Sequence, residues 1–180
     1  MEAMECIRGR RSVRKFTECP VTEEEAAQIV EAASYAPTWK NTQTVRYTFV
    51  TDPAVKQRLA NECVMGFSHN QGIMSGAPAV MVLSTVTGRS GFERDGAFST
   101  SQGTHWQSFD AGAAAQTFCL AAHAKGLGTV IMGIYDAEKV AEVIQLPEGE
   151  MVSALIAVGH PDEAPAAPAR KGVEVLLRTV

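Results

Sequence analysis

The chain has 180 residues, 46% hydrophobic and 20% charged, with a mean hydropathy close to zero, as in an ordinary globular protein. That length fits one domain over residues 1–180 with enough chain to bury a large core. Twenty acidic against 16 basic residues give a net charge of −4, which argues against the basic balance of a nucleic-acid binder. No apolar run approaches the length of a bilayer span, and the first residues hold no apolar signal segment, so the expected location is the cytoplasm, with no membrane partner.

Residues 4–8 read as a short helix ending at Gly9. Thr22-Glu23-Glu24-Glu25 is a capping box that opens a helix through Ile29, Val30 and Ala33, which must stop before Pro37. Residues 46–51 read as a strand, and Asp52-Pro53 starts a helix toward Glu62. Ala77-Pro78 precedes a buried strand at 79–84. Residues 85–107, rich in Gly, Ser and Thr with scattered aromatics, are either a functional lid or partly disordered. Residues 108–125 form a helix apolar nearly all round, which buries several faces in a core or an interface.

Residues 129–134 form a β-rich run, Asp136 caps a helix closed by Pro147, and 151–158 form an apolar strand. A semi-rigid Pro/Ala connector at 160–169 leads to Arg170-Lys171 and a strand-like tail at 173–180. Alternating helices and apolar strands indicate an α/β or α+β layered fold.

Chemistry is sparse. Cys6, Cys19, Cys63 and Cys119 form no CxxC, so neither a disulfide framework nor a zinc ribbon is indicated, and the Cys119/His123 pair alone makes no metal site. Gly126-Leu127-Gly128-Thr129 follows a helix and precedes a strand. A dinucleotide fingerprint needs the reverse order, so Gly126 reads as a helix C-cap. No nucleophile constellation stands out, and a bound cofactor is the natural carrier of any reaction.

Two stretches are informative. Arg8, Arg10, Arg11, Arg14 and Lys15 place five of the 16 basic residues within eight positions, with Ser12 among them. Guanidinium forks beside a hydroxyl suit a phosphate. The segment 35–44 is cut from its helix by Pro37 and presents Thr38, Asn41 and Gln43. Their donors and acceptors suit the pyrimidine edge of a flavin, although the stretch taken alone is equally a polar connection between helix and strand.

Arg10-Arg11-Ser12-Val13-Arg14-Lys15-Phe16 followed by Ala36-Pro37-Thr38-x-x-Asn41-x-Gln43 resembles the FMN-dependent nitroreductase family. Matching pieces follow in order over essentially the whole chain: Ala77-Pro78, Gln116 in a helix starting near Asp110, Leu120-Ala121-Ala122, Gly126-Leu127-Gly128-Thr129, Gly159-His160-Pro161 and Arg170-Lys171. Thr44-Val45 departs from the family's Pro-Trp, and Trp39-Lys40 is bulkier than the usual pair.

The resemblance implies an α+β nitroreductase-like fold with a mixed central sheet flanked by helices. It implies a homodimer with an exchanged C-terminal tail and FMN at two interface sites. It implies ping-pong electron transfer from NAD(P)H, through FMN N5, to an acceptor such as a nitroaromatic or quinone. Arg10, Arg11 and Ser12 are then expected at the phosphate with Arg170 or Lys171, and Arg14 near N1 and O2, tuning the flavin. Pro37, Thr38, Asn41 and Gln43 are expected at the ribityl chain or pyrimidine edge, Asn70 at the cofactor, and the backbone of Ile131, Met132 and Gly133 near N5. No side chain is assigned a catalytic proton transfer. The alternatives are a non-catalytic flavin-binding or storage protein, or a nucleic-acid or partner-binding domain using the basic segment.

Overall fold

The computed structural model describes residues 1–180. Four strands form one sheet in the order β1-β2-β4-β3, with β1 at Val45–Val50, β2 at Ala79–Val86, β3 at Gly128–Met132 and β4 at Glu150–Gly159. All three pairings are antiparallel. The expected mixed sheet is therefore antiparallel among these strands, and the parallel element is confined to one bridge, Ser12 to Thr129.

The two central strands are apolar on both faces because helices cover both. Val80 and Val82 of β2 join Leu155 and Ala157 of β4 in a core beneath α3 (Pro53–Arg58), α4 (Ser68–Gly76) and α6 (Ala137–Ile144). Met81 and Leu83 join Ile156 and Val158 in a second core beneath α2 (Glu23–Ala33) and α5 (His105–Ala124). Period-two side-chain alternation divides each strand between two cores in this way.

The local signals act as expected at most ends. The Thr22 hydroxyl accepts the Glu25 N–H, and the Glu25 carboxylate accepts the Thr22 N–H. Asp52 and Asp136 cap α3 and α6. The last turn of α3 runs on into a π-helical turn over Leu59–Cys63. At the end of α5, Gly126 (φ 83°) donates to the His123 carbonyl and Leu127 to the Ala122 carbonyl, the paired bonds of a left-handed glycine cap.

Several bounds differ from expectation. Helix α5 starts three residues early, at His105, and α4 has no strong apolar stripe to announce it. Residues 87–104 are ordered by turns and by the Phe92–Phe98 bridge. The strand-like tail is instead a single helical turn, α7 (Val173–Leu176), exposed throughout, because no strand of its own chain pairs with it. No helix is long and apolar enough to cross a membrane.

Candidate functional site

The basic segment runs from the end of α1 (Ala3–Gly9) along the outer edge of β3. The Val13 N–H donates to the Thr129 carbonyl at 2.9 Å, and Val13 lies directly over Gly128. A Cβ on Gly128 would stand 2.7 Å from Val13 Cβ, so this approach requires glycine. A parallel close approach occurs at Gly159, where a Cβ would meet Pro78 at 2.5 Å. The two motifs Ala77-Pro78 and Gly159-His160 therefore pack on each other.

The neighbouring arginines do different work. Arg11 Nη1 donates to the carbonyls of Arg8 and Arg10, at 2.6 and 2.9 Å, and so braces the segment. Arg10 Nε is buried and has no acceptor in the chain. Such an orphan donor is costly unless something anionic or polar meets it. Arg10 lines a cavity of about 400 Å³ with Arg11, His123, Thr129 and Glu163. Burial first, and then the charges of Arg10 and Arg11, hold the His123 imidazole below its ordinary pKa. Arg14 is exposed, with Nη1 on the Ser12 carbonyl at 3.1 Å and its N–H on the Glu163 carboxylate at 2.6 Å. Glu163 arrives on the 160–165 connector, which the Thr17–His160 and Asp162–Lys15 backbone bonds tie to the basic segment. That acidic neighbour had no signature in the sequence.

The segment 38–43 is a second, separate half-site. The Thr38 hydroxyl accepts the Gln43 N–H at 3.1 Å, and Arg46 reaches back to the Gln43 carbonyl. Lys40, Asn41 and Gln43 have φ of 45°, 56° and 49°. For residues other than glycine this left-handed geometry costs roughly 1–2 kcal/mol each, with Asn the most tolerant. Pro37, Asn41 and Gln43 are exposed and Thr38 half-buried. Thr38 and Gln43 line a cavity of about 340 Å³ with residues of α2, β1 and Ala114. Tyr47 lines it too, its phenol pushed up to about 12 by burial. The departure Thr44-Val45 leads straight into the sheet, with the Thr44 carbonyl accepting from Val86 N–H and Val45 opposite Thr85.

A third group gathers at the other end of β3. The buried Asn70 amide donates to the Ile134 carbonyl at 3.3 Å, beside Gly133, where nothing lies within 4 Å of a notional Cβ. Ile131 is exposed and Met132 buried. Arg170 and Lys171 are exposed and line neither of the two cavities. Within one chain, then, the basic segment and the 38–43 loop share no hydrogen bond, and neither of these two cavities is lined by both.

A family model described as "Nitroreductase family" matches residues 7–160. The chain belongs to the nitroreductase family. Among its curated relatives is the NADPH-flavin oxidoreductase of Vibrio harveyi, 31% identical over 97% of this chain and 72% of that protein. Another is an NADH dehydrogenase of Thermus thermophilus, 30% identical over 91% of this chain and 88% of that protein. A solved structure of NADPH:FMN oxidoreductase from Vibrio harveyi complexed with NAD+ superposes with a TM-score of 0.81 at 29% identity, over 98% of this chain and 76% of that one. A nitroreductase family protein from Streptococcus pneumoniae shares the fold, with a TM-score of 0.87 at 22% identity over 99% of this chain and all of that one.

For a nitroreductase the residues present fit FMN. The orphaned Arg10 Nε beside Ser12 suits a phosphate, and the polar left-handed loop suits the heteroatoms of a flavin edge. Glu93, Trp106 and Asp110, which surround that loop, were not singled out from sequence. Their partners lie about 50 to 70 positions away along the chain.

Proposed function

We propose that this nitroreductase is an FMN-dependent oxidoreductase passing electrons from NAD(P)H to a small-molecule acceptor such as a nitroaromatic or quinone, and that it works as a homodimer. Family membership and the names of the relatives support an NAD(P)H-dependent flavin oxidoreductase. The observation that carries the reading is Arg10 Nε, a buried cationic donor without an acceptor on the glycine-bounded edge of β3.

When bound, FMN would supply the hydride chemistry between NAD(P)H and the acceptor, in ping-pong order. The chain's own residues bind and orient. Arg10 and Ser12 hold the phosphate, with Arg170 or Lys171 adding charge and Arg11 keeping the segment in shape. Arg14 favours the reduced, more anionic ring. Pro37, Thr38, Asn41 and Gln43 would address the ribityl chain or pyrimidine edge, Asn70 would support the cofactor, and the backbone of Ile131, Met132 and Gly133 would lie toward N5. Because one chain keeps its two half-sites apart, a composite site across a dimer is the economical arrangement. Two further features favour it. Strand β1 pairs on one side only, leaving an edge that an extended segment can extend. Every residue from 166 to 180 is exposed, with Val173, Val175, Leu176, Leu177 and Val180 offering apolar surface to a partner.

The test is NADH and NADPH oxidation by FMN-loaded protein with a quinone or nitroaromatic present, beside an equal concentration of free FMN. Turnover well above the free-flavin rate is expected. A protein that binds FMN yet oxidises nicotinamide no faster than free flavin is a flavin store instead.

A further inference from the structure

The 38–43 loop holds three residues other than glycine in left-handed geometry, braced by its own Thr38–Gln43 bond and by contacts from outside it. Asp110, in the second turn of α5, is 1% exposed. Both of its carboxylate oxygens accept the Trp39 N–H, at 3.1 and 3.0 Å, and Oδ2 also accepts the Ser90 hydroxyl at 2.6 Å. None of the ion pairs in the chain reaches it. A buried carboxylate without a cation is an expensive group to keep in a core, and here its hydrogen bonds tie the 38–43 loop, through Trp39, to the 87–104 segment, through Ser90.

The 87–104 segment, which carries Ser90, and Trp106 of α5 also grip this loop. Lys40 Nζ pairs with Glu93 at 3.1 Å. The Trp39 ring lies 4.6 Å from that of Trp106, whose Nε1 donates to the Thr100 hydroxyl at 2.9 Å. The segment folds tightly enough that a Cβ on Gly91 would stand 2.5 Å from the Gly103 carbonyl oxygen.

We infer that Asp110 is a positioning residue for the cofactor: with Ser90, Glu93 and Trp106 it latches the strained loop so that Asn41 and Gln43 meet the flavin already arranged. The inference rests on the FMN reading above and assigns a role to the long segment between β2 and α5. A loop ordered in advance removes part of the ordering cost of binding. The role depends on hydrogen bonding rather than charge. An asparagine at 110 keeps an oxygen for Trp39 N–H and turns its amide toward the Ser90 oxygen, whereas alanine offers neither.

The test compares FMN and riboflavin affinities, read from flavin fluorescence, in the wild type, Asp110→Ala and Asp110→Asn. Asp110→Ala should weaken both flavins by about tenfold or more, the scale of a lost buried hydrogen bond. The FMN-to-riboflavin affinity ratio should stay unchanged, because the phosphate end is untouched, and Asp110→Asn should bind like the wild type. Unchanged affinity in Asp110→Ala, a collapsed ratio, or an Asp110→Asn variant as weak as the alanine variant would each overturn the inference. Should Asp110→Ala not fold, Trp106→Ala takes its place and must weaken both flavins at a constant ratio; unchanged affinity there overturns the inference equally. Wild-type protein that takes up neither flavin would defeat the FMN reading itself, a different result from binding that ignores Asp110.

Discussion

Arg10 and Arg11 are adjacent and chemically identical, yet Arg11 gives its Nη1 to the Arg8 and Arg10 carbonyls while Arg10 keeps an unmet buried Nε. The backbone path at the end of α1 sets what each guanidinium meets, so composition could mark the cluster but not divide its labour. The same limit applied to Glu163, 149 residues from Arg14, and to Asp110, 71 residues from Trp39. Thr38, Asn41 and Gln43, by contrast, were legible as a polar loop because Pro37 ends the helix and all three lie within six positions. Arg14 carries the residue-scale prediction. Placed near N1 and O2, its charge would favour the reduced ring over the oxidised one. Charge-assisted hydrogen bonds contribute about 1.5–3 kcal/mol, and about 1.4 kcal/mol corresponds to about 30 mV in a two-electron couple. Arg14→Gln should therefore lower the midpoint potential of bound flavin by roughly 30–60 mV while leaving it bound. A redox titration with an unchanged potential, and FMN lost instead, would move Arg14 to the phosphate.

At the scale of elements, legibility followed the strength of local signals. The capping box of α2, the Asp-Pro start of α3 and the glycine cap of α5 are short-range devices and appear where their residues stand. Helix α4 carries polar Ser68, His69, Asn70 and Gln71 in its first turn and buries only Asn70, Ile73 and Met74, so its periodicity is faint. The tail misled because β-prone residues without a strand beside them have no ladder to join. Gly128 belongs to a glycine pair whose helix-to-strand order rules out a nucleotide fingerprint, and its work in the structure is to let Val13 approach β3. Gly128→Ala should therefore lever the basic segment off the strand, at a cost of about 1–3 kcal/mol for overpacking. Urea unfolding should show that loss together with weaker FMN binding. A variant of wild-type stability and affinity would mean that the segment does not depend on this contact.

For the whole molecule, the layered α+β architecture was legible because the runs at 79–84 and 151–158 are apolar but for Ser84 and Ser153, which requires cover on both faces. The assembly is different in kind. Two half-sites that stay apart in one chain, an open β1 edge and an exposed apolar tail are each unremarkable alone, and a second copy of the chain would account for all three. The most direct measurement is a titration of the purified protein with FMN, followed in the visible band and by sedimentation, for the full chain and for a version ending at residue 171. The full chain should sediment as a dimer carrying about one FMN per chain, as a cofactor-dependent enzyme requires, and the shortened chain should lose dimerisation and FMN together. A colourless protein that takes up no FMN at micromolar concentration, or a monomer that holds FMN as firmly as the full chain does, would contradict the account.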